Sequence, residues 1–210
     1  MGIFDRFKKE TAPNQMPVDT PATGTINLVK GSRVSLAKND GGAITVTNGW
    51  TAQGKDYDLK ALVRYHDGHL VYVGAANRDE ILRTKDGAVQ HSGDARKAGE
   101  LETLTIKWHP QIASIAISSY SALENGPGSF REYGVYTEIK NGGQVVRLNA
   151  ADASADSNQY TCCFGEVLFE PGGTMTIVNL ERYSARGSER RVGYRGATVT
   201  MDIGPAGQNK

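Results

Sequence analysis

Disulfide chemistry has almost nothing to work with in this chain. Its 210 residues include two cysteines, and these are neighbours, Cys162 and Cys163. Adjacent cysteines close only a strained ring, so a disulfide framework is excluded and a reducing compartment is the simpler setting. Long apolar runs are missing as well: no stretch approaches the roughly 18 residues of a membrane-spanning helix. The N-terminus lacks the sustained apolar segment of a secretory signal, which makes the chain a cytoplasmic one by expectation. Charge is balanced, 24 Lys and Arg against 23 Asp and Glu for a net +1, so there is no global pull towards nucleic acid. Enzyme signatures are absent too. There is no G-x-S-x-G elbow, no Walker A loop and no G-x-G-x-x-G after a strand, and nothing in the spacing of carboxylates and histidines assembles a nucleophile with its base. The chain is therefore read as a non-enzyme. Helical periodicity is sparse, with one helical turn expected at most in Ala75–Leu82 and in Ala150–Asn158.

What the sequence does carry is a period of two. Val34 and Leu36, Leu59 to Tyr65, Leu104 to Trp108, Val135 to Ile139, and Ala197 to Ile203 each alternate apolar with polar residues. That is the pattern of half-buried strands with one face on a core. Glycine is abundant, 25 residues, and it falls between the strands. Asp67-Gly68 and Asn141-Gly142 supply the positive φ angles of tight hairpins, and Asn39 to Gly42, Asp86-Gly87 and Pro171 to Gly173 mark further reversals. Together these predict an all-β fold, an antiparallel β-sandwich of about ten or more short strands with few short helices.

The domain layout follows from composition. Residues 1–24 open with an amphipathic piece in which Ile3, Phe4 and Phe7 accompany Arg6, Lys8 and Lys9. Such a segment suits peripheral contact with an anionic membrane or a partner groove. Pro13, Pro17 and Pro21 then make a semi-extended linker. The sandwich is expected over 25–204, with a tail at 205–210. Near its end, Arg182, Arg186, Arg190, Arg191 and Arg195 interleave with Tyr183 and Tyr194. That composition can grip phosphates and stack on bases, or form a solvated surface loop. Tyr160 to Phe169 reads as a buried strand, which makes Cys162 and Cys163 small core hydrophobes, although vicinal thiols also suit a soft metalloid. His66 and His69 flank the Asp67-Gly68 turn but have no evident third metal ligand.

The stretch with the most chemistry is His91 to Ile106, HSGDARKAGELETLTI. Asp94, Glu100 and Glu102 lie on a Gly-punctuated loop that feeds into a strand. Upstream, Asp56 and Asp58 share one face at the start of another strand. Five carboxylates converging there would suit a hard cation such as Ca²⁺, which takes roughly six to eight oxygens.

This order of pieces, DYDL, then HSGD with a Gly/acidic loop and a β run, then FGEV at Phe164–Val167, resembles the TerD family of bacterial tellurium-resistance and stress proteins, from about Ile26 to about Tyr183. The resemblance implies a calcium-binding β-sandwich of the cytoplasmic stress response. It implies association with itself or with other family or stress proteins, and no established enzymatic activity. On the family pattern Asp56 and Asp58 belong to the acidic strand motif, Asp94 to the HSGD-type loop, and Glu100 and Glu102 to the acidic stretch after it. The chain departs from that pattern at Lys60, where the family continues with a third acid, and at Arg96 and Lys97 inside the loop. Two readings stay open: a weakened Ca²⁺ site, or a metal-free scaffold whose loop is held by internal salt bridges.

Overall fold

In the computed structural model, residues 23–36, 42–75, 79–95, 101–122, 125, 130–152 and 158–206 are described. They form fourteen strands: β1 Gly24–Asn27, β2 Arg33–Ser35, β3 Ala43–Gly49, β4 Tyr57–Tyr65, β5 Leu70–Val73, β6 Val89–His91, β7 Thr103–Lys107, β8 Ile112–Ser121, β9 Tyr136–Asn141, β10 Gln144–Asn149, β11 Thr161–Phe169, β12 Met175–Tyr183, β13 Gly193–Arg195 and β14 Thr198–Thr200. One six-stranded sheet runs β1-β10-β9-β3-β7-β6 and the other β2-β12-β11-β8-β4-β5, while β13 and β14 make a separate ribbon. All pairings between these strands are antiparallel except β1 with β10.

The core follows from the alternation. Ile44, Val46, Leu104, Ile106, Ile139, Val146 and Leu148 of the first sheet meet Leu59, Val63, Ile115, Ile117, Val167 and Ile177 of the second, all fully buried. Each such side chain contributes about 1.5–3 kcal/mol by leaving water. A tight hairpin forms where expected, but its loop is Gly142-Gly143: Asn141 pairs with Gln144 as the last residue of β9, and of the dipeptide only Gly142, at φ 58°, takes a positive φ.

Three features differ from the sequence reading. The central strands of the second sheet are covered on both faces rather than one. Leu62, Ala116 and Cys163, on the face away from the main core, pack under Val192 and Val199 of the C-terminal segment. The Arg-rich stretch is therefore a cover in part: Arg191 and Val192 are buried, while Arg182, Arg186, Arg190 and Arg195 are exposed to solvent. Second, Ala75–Leu82 contributes no helical turn from its described residues, because Ile81 forms a parallel bridge to Val73; residues 153–157 of the other candidate lie outside the described residues. Third, the last alternating run stops at Thr200, where Asp202 takes a positive φ of 62°. Beyond it Ala206 still bridges Arg190, so the fold extends into the expected tail.

A register shift in β11 between Cys163 and Gly165 decides where the FGEV side chains go. A bulge inserts one residue and flips the inside–outside parity. Cys162 and Phe164 face the main core before it and Val167 after it, which sends Glu166 outward to accept a 2.9 Å hydrogen bond from the Tyr194 hydroxyl. Gly165 is required at the bulge, since a Cβ there would sit 2.7 Å from both the Val178 carbonyl oxygen and Leu148.

Candidate metal centre

The site grows out of an unpaired stretch of backbone. Strand β5 covers β4 only over Ala61–Arg64, so the first residues of β4 have no strand neighbour on that side. A buried N–H or C=O left without a partner is costly. At Leu59 the partners are side chains from the opposite sheet: Glu102 Oε2 accepts from the Leu59 N–H at 2.6 Å, and His91 Nε2 lies 3.0 Å from the Leu59 carbonyl. The Gly93 N–H donates to His91 Nδ1 at 3.0 Å. That ring nitrogen therefore accepts, Nε2 carries the proton, and the imidazole is neutral and donates to Leu59. Ser92 ties the same turn to β7, with its N–H on the Thr103 carbonyl and its Oγ accepting from the Thr103 N–H, both at 2.9 Å. The HSGD turn is thus a clamp that joins the two sheets.

The clamp brings three carboxylates together. One oxygen each of Asp58, Asp94 and Glu102 lie within 4.8 Å of one another, with Asp58 and Glu102 buried and Asp94 the more exposed. Among the described residues this is the group of acidic, histidine or cysteine side chains whose geometry suits a metal ion. Oxygens sharing one Ca²⁺ at about 2.3–2.6 Å lie at most about 5 Å apart, so the spacing fits a single ion. Glu102 keeps ligand capacity while accepting from Leu59, because a carboxylate has about four lone-pair sites. The donors are all hard oxygens, and they supply at most six of the six to eight that Ca²⁺ takes, leaving water to complete the shell.

The other residues of the predicted site fall out differently. Asp56 lies just before β4 and is not a member of the group. Its backbone is held by Asn125, whose Oδ1 accepts the Asp56 N–H at 2.8 Å and whose amide nitrogen donates to the Asp56 carbonyl. Glu100, Arg96 and Lys97 lie outside the described residues. His66 and His69 flank the hairpin turn as expected, but His69 stacks obliquely on Tyr65, with ring centroids 5.8 Å apart, and neither joins a metal-ligating group. Cys162 and Cys163 point to opposite faces of β11, one into the main core and one into the C-terminal cluster, so they cannot chelate together. Both are fully buried. Burial pushes both thiols up, Cys163 to about 12.

Sequence reasoning missed what Lys60 does. Its ammonium lies 3.9 Å from Asp58 Oδ2 but makes its short contact, 2.7 Å, with Glu80 Oε1. The same Glu80 oxygen takes Arg191 Nη1 at 2.7 Å, and Arg191 reaches Asp79 at 3.3 Å and lies over the Tyr72 ring at 4.8 Å. Buried cations need such partners. The row Asp58, Lys60, Glu80, Arg191 runs from the carboxylate group to the C-terminal cover. Glu80 and Arg191 are separated by 111 positions, and no local signal marks either one. The neighbouring arginines are engaged as well, Arg182 on the Val199 carbonyl and Arg190 on the Gly204 carbonyl at 3.3 Å.

No protein-family model and no curated protein matches the sequence. No helix among the described residues is long and apolar enough to cross a membrane. Among solved structures, the chain is similar to the crystal structure of a homologue of the telluride resistance protein TerD from Streptomyces coelicolor A3(2), with 16% sequence identity and a TM-score of 0.49, covering 67% of this chain and 89% of that one.

Proposed function

We propose that this chain is a divergent TerD-type β-sandwich that holds one Ca²⁺ at Asp58, Asp94 and Glu102 and acts without enzymatic chemistry, through association with itself or with other stress proteins in the cytoplasm. The observation that carries the reading is the meeting of three carboxylates from the two acidic motifs singled out in the sequence, on residues 58, 94 and 102. A bound Ca²⁺ would offset two of the three like charges and tie the HSGD turn to β4. The chain's own contribution is to orient Glu102 through the Leu59 N–H and to hold the turn through the neutral His91. An ordered turn at the sheet edge then presents the partner surface.

Lys60 favours a second reading, in which the chain is a metal-free scaffold. Its ammonium near Asp58 supplies part of the positive charge that an ion would bring. The Arg-rich segment gives less support to nucleic-acid binding, since Arg182, Arg190 and Arg191 all have partners within the fold. Calorimetric titration of chelator-stripped protein with Ca²⁺ separates the two readings. The first expects saturable 1:1 binding that Asp58→Asn abolishes; absence of heat at millimolar Ca²⁺ overturns it.

A further inference from the structure

The second sheet ends at β5, and its outer rim is only partly covered. On that side Ile81 pairs with one end of the strand, its N–H on the Tyr72 carbonyl at 3.0 Å and its carbonyl accepting from the Gly74 N–H at 3.2 Å. Leu70 and Val71 have no strand neighbour there among the described residues. Beside this open rim lies a cavity of about 510 Å³, walled by Tyr65, Val71, Tyr72 and Ile81. Ile81 is 41% exposed, which is a large apolar side chain left to water. Asp67, Asp79 and Asp86 line the same cavity with Lys85; Asp79 is paired with Arg191 and Asp86 is hydrogen-bonded by Tyr65 and Thr84, so the acidic contribution open to a ligand is that of Asp67. An open strand edge beside an apolar, acidic groove fits an apolar, basic peptide.

The chain carries such a peptide. Its first ten residues, MGIFDRFKKE, combine Ile3, Phe4 and Phe7 with Arg6, Lys8 and Lys9. The fold also puts this segment within reach. Gly24 pairs with Gln144, and its N–H donates to the Gly143 carbonyl, so the chain enters the fold beside the β9–β10 turn. Along the same end of the sandwich, Ala43 of β3 pairs with Lys107 of β7. From there His109 to Gln111 lead into β8, where the His66 N–H bonds to the Gln111 carbonyl at 2.9 Å. Gln111, Tyr65 and His69 line the groove. The entry point and the groove mouth therefore share one end and sit at opposite edges. They are separated by about five strand spacings, or roughly 24 Å. Residues 11–23 reach about 43 Å when extended, which exceeds the span.

From these observations we infer that residues 1–10 dock in the β5 groove of their own chain, Phe4 and Phe7 against Tyr65, Val71 and Ile81 and the basic residues against Asp67. Docking would cover the β5 rim of the second sheet and withdraw the basic segment from other partners.

Hydrogen exchange on the full-length protein tests this. In Phe4→Ser/Phe7→Ser the amides of Leu70–Val73 and Ile81 should exchange at least about threefold faster than in the natural chain, with β8 and β11 unchanged, as local opening would give. The difference should persist on tenfold dilution. Arg6→Asp and Asp67→Lys should each lose protection, and the two together should restore it. Equal exchange in the natural and Phe-substituted chains overturns the proposal. Protection that disappears on dilution overturns it in favour of a second copy. An effect that arises only with phosphatidylserine vesicles overturns it in favour of a lipid surface.

Discussion

Replacing Lys60 by Met should raise the affinity for Ca²⁺ by at least about tenfold. Lys60 Nζ lies 3.9 Å from Asp58 Oδ2, and an ion on that carboxylate would stand about 2.4 Å from its oxygen, hence at most about 6 Å from the ammonium. At that separation the repulsion between a single and a double positive charge is about 1.4 kcal/mol in the dielectric of water, and about 5–6 kcal/mol at an effective dielectric near 20. Glu80, at 2.7 Å, offsets part of the ammonium's charge, so the lower figure is the appropriate floor, and about 1.4 kcal/mol is a factor of ten in Kd. The substitution leaves a partner for what remains: Glu80 keeps Arg191 at 2.7 Å, so the variant should stay folded. Calorimetry, with a competing chelator for the tighter variant, reads the difference directly. An unchanged Kd in a folded Lys60→Met protein refutes competition between the ammonium and the ion. Failure of both proteins to bind would instead sink the calcium reading itself.

Glu80→Ala leaves two buried cations without their shared carboxylate and should cost about 3–5 kcal/mol in urea unfolding at unchanged m; a loss below about 1 kcal/mol would mean that Asp58 and Asp79 suffice. Gly165→Ala presses a methyl group against the Val178 carbonyl and should cost about 1–3 kcal/mol by the same measurement. Neither thiol should react with an aromatic disulfide reagent in the native protein, and both should react once it is unfolded, because burial raises both and removes access; rapid native labelling of Cys163 would show that the C-terminal cover opens. Burial alone would raise the Asp86 carboxyl, but hydrogen bonds from Thr84, the Ala88 N–H and Tyr65 outweigh it and hold the group below its ordinary value of 3.8. Its contribution to stability is thus present above about pH 4 and is lost as pH falls through the lower folded value. Asp86→Asn should flatten the acid limb of the stability–pH curve, and an identical limb in both proteins would contradict that assignment.

The alternation of Thr103-Leu104-Thr105-Ile106 or of Val135 to Ile139, with Asp67-Gly68 and Asn141-Gly142 between runs, was enough to specify strands, hairpins and an all-β sandwich. These are local quantities: side-chain period, turn conformation and the absence of helical repeats. The acidic motifs could also be picked out as neighbours in function, and Asp58, Asp94 and Glu102 do meet. Only the tertiary structure separates Asp56 from that group, because Asn125 fixes its backbone before the strand begins. Only the fold assigns Lys60 to Glu80, since the choice among partners depends on which side chains are buried together and not on which are adjacent in sequence. The same holds for the Arg-rich segment. Its composition fits either a phosphate grip or a solvated loop; the apolar second face on β4, β8 and β11, whose Leu62, Ala116 and Cys163 need a cover, buries Arg191 and Val192 and leaves the other arginines exposed. Local sequence determined what each strand is, and long-range burial decided what each charge does.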